Sequence, residues 1–89
     1  EACLVGSEMC IRDRNKVEQF LKNTNDSFDL IFADPPYDKI DYDWLFNSCI
    51  KKLSKNGKLV VEMKKNNFTY DNCIEKVYGD TKVLLYDKS

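Results

Sequence analysis

The residues with the clearest chemical potential are Asp34, Pro35, Pro36 and Tyr37, which directly follow the apolar run FDLIFA. Each proline fixes its own φ, lacks an N–H group and pushes the residue before it toward an extended conformation. The turn is therefore stiff and rich in hydrogen-bond acceptors, namely the Asp34 carboxylate and the proline carbonyls. Such a site suits a group that carries two N–H donors, and the exocyclic amine of a nucleic-acid base is one such group.

An amine attached to an aromatic ring is a poor nucleophile, because its lone pair is delocalised into the ring. Acceptors that hold both hydrogens out of the ring plane favour a pyramidal nitrogen and direct its lone pair at an electrophile placed opposite. Asp34 would also stabilise the positive charge that develops on nitrogen, and Tyr37 could stack on an extruded base, a contact worth about 1–3 kcal/mol. From the tetrapeptide alone, a rigid turn that merely ends a strand is an equally good interpretation.

The pattern around the tetrapeptide predicts that it ends a buried parallel strand. The apolar segment over 28–33 is too short for a buried helix and suits a strand covered on both faces. The segment KLVVEM, residues 58–63, is β-branched at its centre and predicts a second buried strand. Open α/β sheets bind ligands just outside the carboxyl ends of their parallel strands, and Asp34 stands at such an end.

A helix is predicted between these two strands. Its apolar residues recur at helical spacing and are Tyr42, Leu45, Phe46, Cys49, Ile50 and Leu53. Asp41 or Asp43 is placed to cap the start, and Gly57 is expected to stop the helix. A shorter helix is predicted upstream, from Asn15 to Leu21 or Lys22. Strand, helix and strand together make a βαβ unit.

The C-terminal segment predicts a different kind of strand pairing. Residues 73–88 hold two β-rich stretches around Gly79-Asp80, which is the composition of a tight antiparallel hairpin with a positive φ at Gly79. The predicted fold class is therefore α/β, with parallel strands followed by an antiparallel C-terminal hairpin in one mixed sheet.

Composition excludes several kinds of chemistry. The chain has 89 residues, a formal net charge of −1 and no histidine, so acid–base catalysis by histidine and metal sites with histidine ligands are excluded. Four scattered cysteines form no C-x-x-C pair, which favours reduced thiols in a cytoplasmic protein over a disulfide, and no metal site is expected. No apolar run approaches the length of a membrane span.

The charge pattern gives no electrostatic footprint of a free-standing nucleic-acid-binding domain. Six lysines invite a phosphate-binding interpretation, but lysines on amphipathic elements usually form a solvated face; they are Lys51, Lys52, Lys55, Lys58, Lys64 and Lys65. If a nucleic acid is the substrate, we expect the basic surface to lie elsewhere.

The first fourteen residues, EACLVGSEMCIRDR, resemble a translated cloning or sequencing linker. We therefore expect residues 1–14 to be a non-native or disordered segment, with a native helix or strand as the alternative. Residues 15–89 are then the part of the chain that belongs to the domain.

The order of motifs resembles a known family. FDLIFADPPY, then GKLVVEMKK, then KVYGDTKVLLYDK is similar in order and spacing to the C-terminal half of the bacterial 16S rRNA guanine-N2 methyltransferases. The tetrapeptide itself looks like motif IV of S-adenosylmethionine-dependent amino-methyltransferases. The resemblance implies a partial Rossmann-like class I methyltransferase fold.

The resemblance also implies roles for particular residues. It makes Asp34, Pro35, Pro36 and Tyr37 catalytic, with Asp34, Pro35 and Tyr37 holding the guanine, and it adds Glu62 at the end of the next strand as a substrate-binding residue. For Glu62 a solvated structural carboxylate is an equally good interpretation.

The implied cofactor is S-adenosylmethionine, and the implied partner is 16S rRNA or the small ribosomal subunit, bound by a monomer. The family's glycine-rich cofactor turn is not visible in this sequence, so its binding residues are expected in a missing N-terminal half. Two alternatives stay open, a DNA adenine-N6 or cytosine-N4 methyltransferase, and a truncated α/β fragment without activity.

Overall fold

The computed structural model describes residues 2–6, 27–34 and 40–88. Five strands in these residues form one mixed sheet. The elements are β1 (Ala2–Gly6), β2 (Phe28–Asp34), α1 (Tyr42–Ile50), β3 (Leu53–Lys64), β4 (Cys73–Tyr78) and β5 (Thr81–Asp87). The strand order is β1-β2-β3-β5-β4, with β1, β2 and β3 parallel and the β3-β5 and β5-β4 pairs antiparallel. The predicted mixed sheet is confirmed.

Strand β1 lies within the segment for which a non-native or disordered state was expected. It pairs with β2 from Ala2 opposite Leu30 to Gly6 opposite Asp34. Disorder is therefore wrong for Ala2–Gly6, whose apolar, partly β-branched sequence ACLVG suits a strand. Whether residues 1–14 are native to the protein stays a prediction, and residues 7–14 and the helix predicted from Asn15 lie outside the described residues.

The helix α1 begins where the sequence predicts and ends earlier. Asp41 is its N-cap, and the Asp41 carboxylate accepts a hydrogen bond from the backbone N–H of Trp44 at 3.0 Å. The helix buries Leu45, Phe46 and Cys49 against the sheet and ends at Ile50. The prediction that it continues through Leu53 is wrong, since Leu53 is the first residue of β3.

The chain leaves the helix because Leu53 pairs with Phe28 of β2, and the end of the helix is then capped by Lys88. Its ammonium group donates to the backbone carbonyls of Ile50, at 3.0 Å, and Leu53, at 2.9 Å. The last carbonyls of a helix have no partner within the helix, so a cation there satisfies them and stabilises the negative end of the helix dipole. The contact between Lys88 and Leu53 joins residues 35 positions apart, so the local sequence pattern cannot predict it.

Gly57 therefore does not stop the helix but lies buried inside β3. A Cβ added there would stand 2.9 Å from the backbone oxygens of Phe28 and of Ser54. The pairing of β2 and β3 changes register at this point, between Phe28 and Leu30, and Asn56 has a φ of 67°. Glycine is needed for this close backbone approach.

The C-terminal hairpin is confirmed in position and in turn. Tyr78 pairs with Thr81, leaving Gly79 and Asp80 as the turn, and Gly79 has a φ of 57°. A positive φ at the first turn position is characteristic of two-residue hairpin turns that place glycine there.

Alternation along the strands gives the sheet two different faces. The face under α1 carries the core, which includes Ile31, Ala33, Leu59, Val61, Met63 and Leu84. The opposite face carries Asp34 and Glu62 and leaves Leu30 41% and Ile74 60% exposed. In the part of the chain that the structure describes, no helix has the length and apolarity required to cross a membrane.

Candidate active site

Asp34 is the last residue of β2 and is exposed at the carboxyl edge of the parallel strands. The strand stops here because the two prolines that follow have no N–H group to continue a ladder. Pro35, Pro36 and Tyr37 lie outside the described residues, so the geometry of their carbonyls and ring stays a prediction. Asp34 itself occupies the edge at which α/β sheets bind ligands.

Glu62 lies beside Asp34 on the same face of the sheet. Ala33 is the register partner of Val61, so the next residues, Asp34 and Glu62, are neighbours across the β2-β3 pair at a Cα separation of about 5 Å. Glu62 is half-buried while Asp34 is exposed. Both carboxylates can accept hydrogen bonds, so this end of the strand pair suits a ligand that donates N–H groups.

The loop between β3 and β4 rises at the same edge. Lys64 ends β3 two residues after Glu62, and the backbone N–H of Lys65 donates to the carbonyl of Asp80 in the hairpin turn at 2.7 Å. An open depression of about 540 Å³ lies here and is lined by Lys64, Lys65, Asn66, Asn67 and Asp80. Sequence reasoning missed this feature. The signal that could have found it is the polar run KKNN directly after a buried strand.

Lys82 holds this loop from beneath. The side chain is only 2% exposed, and its ammonium group donates to the backbone carbonyls of Asn66, at 2.9 Å, and Phe68. The Glu75 carboxylate lies 3.6 Å from the same nitrogen. Burying an ammonium group is costly unless it is paired, and here two carbonyls accept its hydrogen bonds and a carboxylate balances its charge. The loop backbone is thereby fixed to the sheet.

Aromatic rings fix the far part of the loop to α1. Phe68 and Tyr70 pack against Phe46 with ring centroids 5.5 and 4.7 Å apart. The Tyr70 hydroxyl donates to the side-chain oxygen of Asn47 at 2.5 Å. Burial raises the pKa of Tyr70, so this hydroxyl remains a donor at neutral pH. Rings and hydrogen bond together hold the loop to the helix.

The described cysteines show no sign of catalytic activation. Cys49 is buried and Cys73 is half-buried. Burial raises the pKa of Cys73, which lowers the fraction of reactive thiolate. Within residues 2–6, 27–34 and 40–88, no group of three or more potential metal ligands comes together. The described polar side chains at the carboxyl edge are carboxylates, amides and lysines.

Known proteins resemble this chain in sequence. A family model described as Conserved hypothetical protein 95 matches residues 2–87. An uncharacterized methylase of Rickettsia prowazekii (strain Madrid E) is 40% identical over 75 residues, which is 76% of this chain and 32% of that protein. The chain thus spans about a third of the length of this curated relative.

Solved structures share the fold. A conserved hypothetical protein from Streptococcus pyogenes is 29% identical with a TM-score of 0.68, over 81% of this chain and 50% of that one. A hypothetical protein of Thermus thermophilus is 25% identical with a TM-score of 0.67, over 79% of this chain and 43% of that one. The family resemblance inferred from the sequence is confirmed by the family model. The chain belongs to the Conserved hypothetical protein 95 family and has the Rossmann-like α/β fold of these solved structures.

Proposed function

We propose that this chain carries the substrate-amine side of an S-adenosylmethionine-dependent methyltransferase site whose target is the N2 amine of guanine in 16S rRNA. The observation that supports this most strongly is the exposed Asp34 carboxylate at the carboxyl edge of β2, beside Glu62 and in front of two prolines. Membership of a family that contains a methylase supports the reaction class.

In this proposal Asp34 accepts one N–H of the guanine amine, and the carbonyl of Pro35 accepts the other. The nitrogen lone pair then points away from the carboxylate and toward the methyl donor. The amine nitrogen becomes positively charged as it forms its new bond to carbon, and the Asp34 and Glu62 carboxylates stabilise that charge. Tyr37 stacks on the base. The bond between the methyl carbon and the donor's sulfur would break and leave a neutral thioether, and the Asp34 carboxylate would take the amine proton whose loss restores a neutral nitrogen.

S-adenosylmethionine supplies an electrophilic methyl group when it is bound. The described residues do not fit a pocket for it, because a cofactor cradle in this class of fold needs closely spaced glycines after a parallel strand. Of the chain's three glycines, Gly57 lies inside β3 and Gly79 in the hairpin turn, so Gly6 alone stands at the carboxyl edge of a parallel strand. We expect the 89-residue chain alone to bind the cofactor weakly or not at all, and micromolar binding by calorimetry would contradict this.

The reaction is tested with the full-length protein and S-adenosylmethionine that carries a labelled methyl group. Small ribosomal subunits, naked 16S rRNA and duplex DNA are offered separately, and the modified nucleosides are identified by mass spectrometry after digestion. The proposal predicts N2-methylguanosine from one of the RNA substrates. Label in N6-methyladenine or N4-methylcytosine of DNA would identify the alternative methyltransferase, since the same clamp fits any exocyclic amine.

A truncated chain without activity is the remaining alternative, and folding separates it from the others. Circular dichroism of the 89-residue chain should show a cooperative melt if these residues form a stable unit. A gradual, non-cooperative melt together with inactive full-length protein would favour an inactive fragment over either enzyme.

A further inference from the structure

We propose that the depression lined by Lys64, Lys65, Asn66, Asn67 and Asp80 binds the sugar–phosphate backbone of the RNA strand beside the target guanine. We call this depression the backbone subsite. The inference rests on the proposed function and deepens it, because it assigns where the strand that carries the base is held. In this assignment the ammonium groups of Lys64 and Lys65 bind phosphate oxygens, and the side-chain amides of Asn66 and Asn67 bind ribose hydroxyls.

The position of the backbone subsite suits this role. Lys64 stands two residues beyond Glu62 on β3, so its Cα lies about 8 Å from that of Asp34 when strand spacing and rise are combined. This separation is of the order of the distance between neighbouring nucleotides in a strand. A base held at Asp34 would therefore bring an adjacent phosphate within reach of a long lysine side chain.

The charge at the backbone subsite is also suitable. Lys64 and Lys65 are exposed, and neither forms an ion pair within the described residues. Asp80 is the carboxylate among the residues that line the depression. Two lysines and one carboxylate leave a net positive site, which favours a single phosphate, while the carboxylate can accept a ribose hydroxyl.

Three other exposed lysines of the described residues, Lys51, Lys55 and Lys58, lie in different surroundings. Lys58 is 3.8 Å from the carboxylate of Asp87. Lys51 and Lys55 follow α1 and begin β3, at the opposite edge of the sheet from Asp34. The interpretation of the lysines as a solvated face therefore applies to these positions, and the structure separates Lys64 and Lys65 from them.

The backbone subsite is held in shape before any ligand binds. Lys82 fixes the carbonyls of Asn66 and Phe68, and Tyr70 is tied to Asn47 of the helix. A preorganised loop loses little conformational freedom on binding, so its contacts contribute more fully to affinity. A loop that only displays solvated lysines does not need a buried lysine such as Lys82 to hold its backbone, so the Lys82 contacts favour a binding role for this loop.

The test measures binding of a fluorescein-labelled single-stranded RNA that contains guanine to the full-length protein, without a methyl donor, between about 50 and 200 mM KCl. The test variant is Lys64→Gln/Lys65→Gln, and the matched control is Lys51→Gln/Lys55→Gln. For single strands each phosphate contact contributes about 0.7 to the slope of log K against log salt, so the test variant, which loses the one phosphate bound at the subsite, should have a slope lower by about 0.7 and bind several-fold more weakly. The control should keep the wild-type slope and affinity.

Turnover provides a second readout that a purely structural effect would not reproduce. The test variant should raise KM for RNA several-fold while kcat stays within about twofold, because the contacts act on the strand and not on the reacting amine. Equal salt slopes and equal KM values in the test and control variants would overturn the backbone subsite. Both variants change exposed side chains, and an unchanged melting temperature checks that they fold.

The outcomes separate this inference from the proposed function. If wild-type protein methylates guanine in RNA but the test variant matches the control, the backbone subsite is wrong and the proposed function stands. If wild-type protein methylates no guanine in RNA but the test variant loses RNA affinity and salt slope, the proposed function is wrong and the backbone subsite stands.

Discussion

Two lysines at opposite edges of the sheet make the same kind of contact, a hydrogen bond from the ammonium group to backbone carbonyls, but they stabilise different parts of the fold. Lys82 at the carboxyl edge and Lys88 at the amino edge each donate to two backbone carbonyls of a distant segment. Lys82 is buried and also lies near Glu75, whereas Lys88 is half-buried and closes the end of α1. The loop held by Lys82 lines a depression beside Asp34, so we interpret its greater burial as the means of keeping a binding loop rigid.

Replacing Lys82 should have the largest effect on stability. Lys82→Met keeps the volume of the side chain but leaves the carbonyls of Asn66 and Phe68 without their donor in a buried place. We expect a loss of roughly 2–3 kcal/mol in the free energy of unfolding, measured by urea denaturation of the full-length protein. Lys82→Arg, which keeps the charge, should recover part of this loss. A Met variant as stable as wild type would show that the buried contact does not hold the loop.

Replacing Gly57 tests the close approach of the backbones of β2 and β3 at the amino edge. In Gly57→Ala the new methyl group meets two backbone oxygens at 2.9 Å, and backbone cannot move aside as a flexible side chain can. Overpacking of this kind costs about 1–3 kcal/mol. Gly79→Ala is the control, since a Cβ there meets no atom within 4 Å and only the positive φ opposes it. If Gly57→Ala proved the milder of the two, the close approach in β3 would be disproved.

Lys88 should matter less than Lys82. Lys88→Met removes the donor to Ile50 and Leu53, but water can reach a half-buried junction and replace part of the contact. We expect a loss of about 1 kcal/mol in the free energy of unfolding, and no change in the affinity for RNA. A loss equal to that of Lys82→Met would remove the distinction between the two edges.

The smallest effect is expected at the hydrogen bond between Tyr70 and Asn47. Tyr70→Phe keeps the ring on Phe46 and removes only the hydroxyl, so the loss should be about 0.5–1 kcal/mol. A double-mutant cycle with Asn47→Ala isolates the pair, and additive losses would show that the two side chains are not coupled.

The same hydroxyl gives a dependence on pH. Because the folded-state pKa of Tyr70 is raised above its unfolded value, its contribution is complete below about pH 10 and is lost as the pH rises through the folded pKa. The stability difference between wild type and Tyr70→Phe should therefore shrink in alkaline solution. A difference that grows with pH would contradict the raised pKa.

Local patterning was sufficient for much of the fold. The apolar run before Asp34, the Asp41 cap and the turn at Gly79 are each determined by neighbours within a few residues, and the structure has all three. The end of α1 was predicted wrongly because Leu53 continues the helical spacing, and only its pairing with the distant Phe28 makes it the start of a strand.

The candidate site was predictable in its carboxylates and not in its loop. Asp34 and Glu62 could be placed because each ends, or nearly ends, a recognisable strand. Lys82 could not, since a lysine in a strand is usually solvated, and its partners at residues 66 and 68 lie in a polar stretch without periodicity. Which lysines of a chain meet at one edge is decided by strand register, which a single sequence specifies only weakly.

If Asp34 holds the reacting amine, its removal should slow the single-turnover rate of methyl transfer by the full-length protein. With RNA and cofactor both saturating, we expect Asp34→Ala to have a rate lower by about a hundredfold to a thousandfold, with the affinities for cofactor and RNA nearly unchanged. Asp29→Ala, at the other end of the same strand, is the control and should keep the wild-type rate. A wild-type rate in Asp34→Ala would contradict the account.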